Sequence, residues 1–271
     1  MTDRTKPAHG DGKTLVTFLL DRSGSMGAVR QSTIEAFNGY LDGLKADAEG
    51  IDFTFLQFDT ESLDKLCVAE PVARVAPLSL ETYVPRGGTP LIDAAYKTIR
   101  AVEAAVAADG SDPKVVICIQ TDGEENSSTE HTWEALSALV HLKIADGWQF
   151  NFMGAGIDAY AQGAKMGIAA VQTMSYDHAR PEAARAAFAA SAANAQDYRR
   201  SRTVSTAYSP AQRVASGDRF ARSDLTRPKA AGTPPRREDP AAAGPDLDLA
   251  RNSQPGTNAN ARRKTVSDFS L

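Results

Sequence analysis

Near the start of the chain, Asp21-Arg22-Ser23-Gly24-Ser25-Met26-Gly27 gathers a carboxylate and two hydroxyls into one short stretch. Oxygen groups of this kind are hard ligands, suited to Mg²⁺ or Mn²⁺ (with Ca²⁺ also compatible) rather than to zinc. The small Gly24 lets such a loop fold tightly around what it holds. Two distant stretches carry matching chemistry. Pro85-Arg86-Gly87-Gly88-Thr89-Pro90 is a Gly-rich loop that brings up another hydroxyl, and Thr121-Asp122-Gly123-Glu124-Glu125 brings up another carboxylate. Each piece also has a plainer use. Asp-x-Ser-x-Ser can cap a helix, Thr89 before Pro90 can do the same, and Asp122 can serve a turn.

The elements around these loops decide which use applies. Thr14 to Leu20 is an apolar run, as expected of a strand buried on both faces in a parallel sheet. A helix follows from about Ala28 to Lys45, its stripe formed by Val29, Ile34, Phe37, Tyr40, Leu41 and Leu44. Ile51 to Phe58 reads as a second strand ending at Asp59, and Leu63 to Val68 as an antiparallel edge strand joined to it by a hairpin. After an irregular stretch, a helix is expected from Pro90 to about Ala107. Val115 to Gln120 is another fully apolar strand. A helix over Thr132 to Ile144, a strand over Trp148 to Met153, a short helix over Asp158 to Met166, a short strand over Val171 to Met174 and an Ala-rich helix over 178–198 complete the pattern. This alternation predicts an α/β fold, doubly wound and mostly parallel in a Rossmann-like manner, with one antiparallel edge strand. Ligands of such sheets sit at the carboxyl ends of the strands, where Asp21 and Asp122 both fall.

With three loops in this order and context, the sequence resembles the von Willebrand factor type A family and its metal-ion-dependent adhesion site, over roughly residues 14 to 175. Asp21, Ser23, Ser25, Thr89 and Asp122 match the five liganding positions. The resemblance implies that an Asp or Glu of a protein partner completes the coordination of Mg²⁺. It also implies neighbouring central strands for Asp21 and Asp122. Bacterial relatives often work beside an AAA+ ATPase or a kinase–phosphatase pair, which suggests partners of that kind. Around the metal, Gly88 and Gly123 shape their loops. Asp59 is either a group orienting a metal-bound water or a surface charge, and Arg22 either steers a carboxylate or is an ordinary exposed Arg. Glu124 and Glu125 are expected on the rim as solvated charges, and Asp93 is expected to serve its own helix.

Charge and composition narrow the function further. Residues 201–271 hold 12 Lys/Arg and 7 Asp/Glu, while the rest hold 18 and 27, so an acidic body carries a basic tail. That balance argues against nucleic-acid binding by the body. Cys67 and Cys118 lie in apolar runs and do not form a disulfide framework. There is no signal-peptide pattern and no apolar stretch of about 20 residues, so the expectation is a cytoplasmic protein with no membrane role. The expected organisation is a disordered arm over 1–13, the domain over 14–198, and a disordered tail rich in Pro, Ser and Arg over 199–271. His131 and His141 are placed on one helix in solvated roles, and Trp133 and Trp148 as anchors. Arg202-Thr203-Val204-Ser205 and Lys264-Thr265-Val266-Ser267 are either one short motif used twice or a coincidence of composition.

Three functions stay open. The first is a metal-dependent binding module with no catalytic residues. The second is a metal-dependent phosphatase or hydrolase using Asp21 as nucleophile, which Ser23 disfavours because such enzymes place a second acid there. The third is a regulatory or scaffold protein acting through its tail, phosphorylated at Thr203, Thr265 or nearby Ser residues beside basic residues.

Overall fold

Six strands form one sheet in the order β3-β2-β1-β4-β5-β6. The strands are β1 (Thr14–Asp21), β2 (Ile51–Phe58), β3 (Leu63–Pro71), β4 (Lys114–Thr121), β5 (Gln149–Ala155) and β6 (Thr173–Tyr176). Every pairing is parallel except that of β2 with the edge strand β3. In this computed structural model the described residues are 12–221, and they fall within one compact unit. The expected N-terminal arm up to residue 11 and the tail from 222 lie outside them.

The apolar β1 is central, flanked by β2 and β4, and is buried along nearly its whole length. Alternate side chains of β1 point to opposite layers. Val16, Phe18 and Leu20 face α1 (Arg30–Lys45) and α5 (Pro181–Arg199). There Phe18 meets Tyr40 at 4.9 Å and Phe188 at 5.7 Å, and Phe37 stacks on Phe55 at 4.2 Å. Leu15 and Leu19 face α2 (Leu91–Asp109) and α3 (Trp133–Ala145), with Ile99, Ile117, Leu136 and Phe150 among their neighbours. Each buried large side chain contributes about 1.5–3 kcal/mol, so the two layers hold the sheet from both sides. The strand order turns back between β1 and β4, and their carboxyl ends lie side by side at that reversal.

Several boundaries differ from the sequence expectation. The first helix is preceded by a 3₁₀ turn over Gly24–Val29, so the oxygen-rich loop passes directly into helical backbone. His131 lies ahead of α3 rather than on it. β6 begins at Thr173, later than expected. The largest correction concerns the C-terminus, because order continues past residue 198. Residues 199–221 pack on the domain through α6 (Pro210–Ala215) and through Thr206, Tyr208 and Arg213, all buried. The segment runs along the β5–β6 side. Asn151 on β5 donates to the Thr206 carbonyl at 3.0 Å, and the Tyr208 N–H donates to the Val171 carbonyl at 2.8 Å. Arg213 is fully buried, and its guanidinium donates to the carbonyls of Ala170, Val171 and Thr173 and faces Asp218 at 3.4 Å. This order rests on polar contacts, which hydrophobic patterning does not reveal. A local sign was nonetheless present. Ser209-Pro210-Ala211-Gln212 forms a full capping box with Pro in the first turn.

Candidate metal centre

Asp21, at the tip of β1, is completely buried. One of its carboxylate oxygens accepts the Ser23 N–H at 2.6 Å, and the other accepts the Thr121 hydroxyl from β4. Its backbone carbonyl accepts the Tyr83 hydroxyl at 2.6 Å, which ties the loop before Thr89 to β1. Ser23 and Ser25 approach each other at 3.1 Å between their hydroxyl oxygens, and the Ser25 hydroxyl donates to Asp122 at 2.6 Å. One unbroken set of oxygens therefore runs from Asp21 through Ser23 and Ser25 to Asp122.

Thr89 belongs to the same group. A methyl group added at Gly123 would sit 3.2 Å from the Thr89 hydroxyl oxygen, 3.6 Å from that of Ser25 and 4.0 Å from that of Thr121. All three hydroxyls thus face one small space, kept open because Gly123 lacks a side chain. Thr89 does not cap α2. That helix has no side-chain cap from its own N-cap position. The free N–H groups of its first turn go to the facing loop instead, with Ile92 donating to Glu125 at 2.9 Å and Asp93 to the Ser128 hydroxyl at 3.1 Å. Glu125 is therefore a capping group rather than a solvated rim charge. Glu124 is exposed.

The glycines set close backbone approaches. Gly24 donates its N–H to the Gly87 carbonyl at 2.9 Å. A side chain at Gly88 would collide with Ser127, and Asn126 accepts the Thr89 N–H at 2.9 Å. The side chain of Gln162, on α4 (Ala159–Lys165), clamps the third loop by donating to the Gly123 carbonyl and accepting from the Glu125 N–H. Tyr83, Thr121, Asn126 and Gln162 were not anticipated from sequence. Of these, only the Thr121 hydroxyl gave a hint, by preceding Asp122 at a strand end.

Arg22 and Asp59 take neither of the roles expected of them. Arg22 is buried and turns away from the oxygen set. It pairs with Asp59 at 2.7 Å and with Asp64 at 2.8 Å. Asp59 is buried too, and it accepts from Arg86 and from the N–H groups of Glu61 and Ser62. Burial alone would raise its pKa, but these donors and Arg22 outweigh that effect and hold it below the ordinary carboxylate range. The Arg86 N–H in turn donates to the Arg22 carbonyl at 2.9 Å, so this network locks the first and second loops together. Asp93 likewise serves a neighbour rather than its own helix, accepting from the N–H groups of Thr129, Glu130 and His131. His131 stacks on Tyr96 at 3.9 Å.

The two carboxylates of the oxygen set behave differently from Asp59. Burial pushes the pKa of Asp21 up to about 6, against the hydrogen bonds of Thr121 and Ser23. Burial also raises that of Asp122. No Lys or Arg side chain forms an ion pair with either among the described residues, and the His178 charge acts against the rise at Asp122. Two desolvated carboxylates beside three hydroxyls fit a hard divalent cation, whose charge would offset the desolvation. Filling the Gly123 space tests that fit. Gly123→Ala is expected to weaken Mg²⁺ binding about tenfold or more by calorimetric titration while leaving the melting temperature nearly unchanged.

No family model matches the chain, and no curated protein matches it either. Similar solved structures exist. A pilus adhesin, SpaC from Lactobacillus rhamnosus GG, is 12% identical over 69% of this chain and 30% of its own, with a TM-score of 0.52. A von Willebrand factor type A protein from Catenulispora acidiphila is 16% identical over 68% of this chain and 42% of its own, with a TM-score of 0.48. A manganese-loaded TRAP protein from Plasmodium vivax is 15% identical over 62% of this chain and 70% of its own, with a TM-score of 0.44. The chain spans less than half the length of the first two. At these identities the likeness is one of fold.

Proposed function

We propose that this chain is a metal-dependent protein-binding module. A cation, most simply Mg²⁺, would be held by Asp21, Ser23, Ser25, Thr89 and Asp122, and an acidic side chain of a partner would complete its coordination. The observation that carries this reading is the convergence of three loops on one hydroxyl-lined space between the buried Asp21 and the half-buried Asp122, neither of which pairs with a Lys or Arg among the described residues. Once bound, the metal supplies an electrophilic site for an outside oxygen. Three of the five donors are neutral hydroxyls, and five protein oxygens would leave a six-coordinate cation one position for an outside oxygen.

The chain's own residues prepare the site. Thr121 and the Ser23 N–H orient the Asp21 carboxylate, and the Ser25 hydroxyl orients Asp122. Asn126 and Gln162 fix the loops that carry Thr89 and Asp122. This supports binding over hydrolysis, because Asp21 is buried with both oxygens already accepting hydrogen bonds, a poor state for a nucleophile. The pilus adhesin match is compatible with a protein-interaction role. A partner of the AAA+ ATPase or kinase–phosphatase kind belongs to the same proposal. Among the described residues no helix is long and apolar enough to cross a membrane.

The test joins direct metal titration with partner capture. The wild-type chain should bind Mg²⁺ saturably and retain a protein partner that EDTA releases. The Asp21→Ala/Ser23→Ala variant should do neither. A captured partner indifferent to both EDTA and the variant would overturn the proposal.

A further inference from the structure

At the opposite end of the sheet, the chain leaving α5 makes an exposed loop anchored on both sides. Ser201, Arg202, Thr203 and Val204 are all exposed, and Val204 is 93% exposed. Before the loop, Arg199 and Arg200 pair with Asp47. After it, Thr206 and Tyr208 are buried. Lys114, the first residue of β4, reaches the same place and donates to the Tyr198 carbonyl at 2.8 Å and the Ser201 hydroxyl at 2.7 Å. The loop thus sits at the amino ends of the parallel strands, roughly 25 Å along β1 from the metal centre.

The sequence here is Arg200-Ser201-Arg202-Thr203-Val204-Ser205, and Arg262-Arg263-Lys264-Thr265-Val266-Ser267 repeats its spacing outside the described residues. Both copies place an Arg three residues before the Thr, a basic residue just before it, Val just after it and Ser two after it. Lys114, Arg199, Arg200 and Arg202 surround the end of α5, opposed by Asp47 and Asp197, so two positive charges are in surplus. Burial and the Arg199 charge together lower the pKa of Lys114, in keeping with crowded cations.

We propose that Thr203 is a phosphorylation site for an arginine-directed serine/threonine protein kinase. In the reaction the Thr203 hydroxyl oxygen bonds to the γ-phosphorus of ATP. The bond from that phosphorus to the bridging oxygen breaks, ADP leaves with the electron pair, and the hydroxyl proton passes to the kinase's base. The loop is exposed with arginines on one side, and an acidic, extended substrate groove can take it once the Ser201 and Arg202 N–H bonds to the Tyr198 and Asp197 carbonyls are released. The product carries about −1.5 to −2 charges at neutral pH, which matches the local surplus and lets Arg200 and Arg202 hold the phosphate. In the unmodified chain the Thr203 hydroxyl donates only within its own loop, to the Ser205 carbonyl at 2.9 Å.

The full chain is incubated with an arginine-directed kinase and Mg-ATP, and the products are mapped by fragmentation mass spectrometry. Thr203 should carry phosphate in the wild type and in Thr203→Ser, but not in Thr203→Ala. Arg200→Ala/Arg202→Ala, with its fold checked by melting temperature, should slow modification of Thr203 about tenfold or more, the loss expected of charge-assisted contacts. An unmodified Thr203, whether or not Thr265 takes phosphate, overturns the proposal. So does modification of Thr203 at an unchanged rate in the double variant.

Discussion

Asp21→Asn is expected to abolish Mg²⁺ binding, weakening it by at least about 100-fold, and yet to stabilise the metal-free chain at neutral pH. The two effects share one cause. Burial raises the pKa of Asp21 to about 6 in the folded chain, against an ordinary carboxylate value of 3.8. The folded state therefore holds the proton more tightly than the unfolded state does. Any stability from this group is fully present below about pH 4 and is lost as the pH rises through about 6. Above that, the ionised carboxylate costs the metal-free fold on the order of 3 kcal/mol. An amide removes that cost and keeps an oxygen to accept the Ser23 N–H. Chemical denaturation in EDTA should show the variant more stable than wild type at about pH 7.5 and nearly equal to it at about pH 4. Added Mg²⁺ should raise the stability of wild type alone, and by more at the higher pH. Equal stability of the two proteins across this range would mean that Asp21 is not desolvated as described.

A comparably large effect is expected far from the candidate metal centre. Asp218→Ala should destabilise the chain by about 3–5 kcal/mol, because it leaves the fully buried Arg213 without its carboxylate. Asp218 also accepts the Tyr160 hydroxyl at 2.6 Å and the N–H groups of Ser175 and Ala221, so several partners are stranded at once. Arg213→Met in the same background should recover part of the loss by removing the unpaired charge. Urea denaturation of the two single variants and the double variant measures this directly. Additive losses would show that Arg213 and Asp218 do not act as a pair.

These experiments fall on opposite sides of what the sequence made legible. β1, β2 and β4 were readable because strands buried on both faces are continuous apolar runs, and their tips located Asp21 and Asp122. The antiparallel β3 was readable from its short connection to β2. The hydroxyl set was readable because chemistry shows in residue type. What stayed hidden was who partners whom. Nothing in sequence spacing distinguishes Glu125, which caps α2, from Glu124, which is exposed. Arg22 sits inside the most chemically suggestive stretch of the chain, yet it points to Asp59, 37 residues away. The segment after residue 198 was hidden for a related reason. Its order comes from one buried guanidinium, a tyrosine and a capping box rather than from an apolar stripe.

The start of α2 lacks a cap of its own and borrows one from the loop after β4. The helix that follows Thr89 and the loop that follows Asp122 are thereby riveted together by Glu125, Ser128 and Asp93. A displacement of either piece drags the other with it. If a cation binds as proposed, a shift in its hold on Thr89 would move the first turn of the nineteen-residue α2 together with the loop after β4.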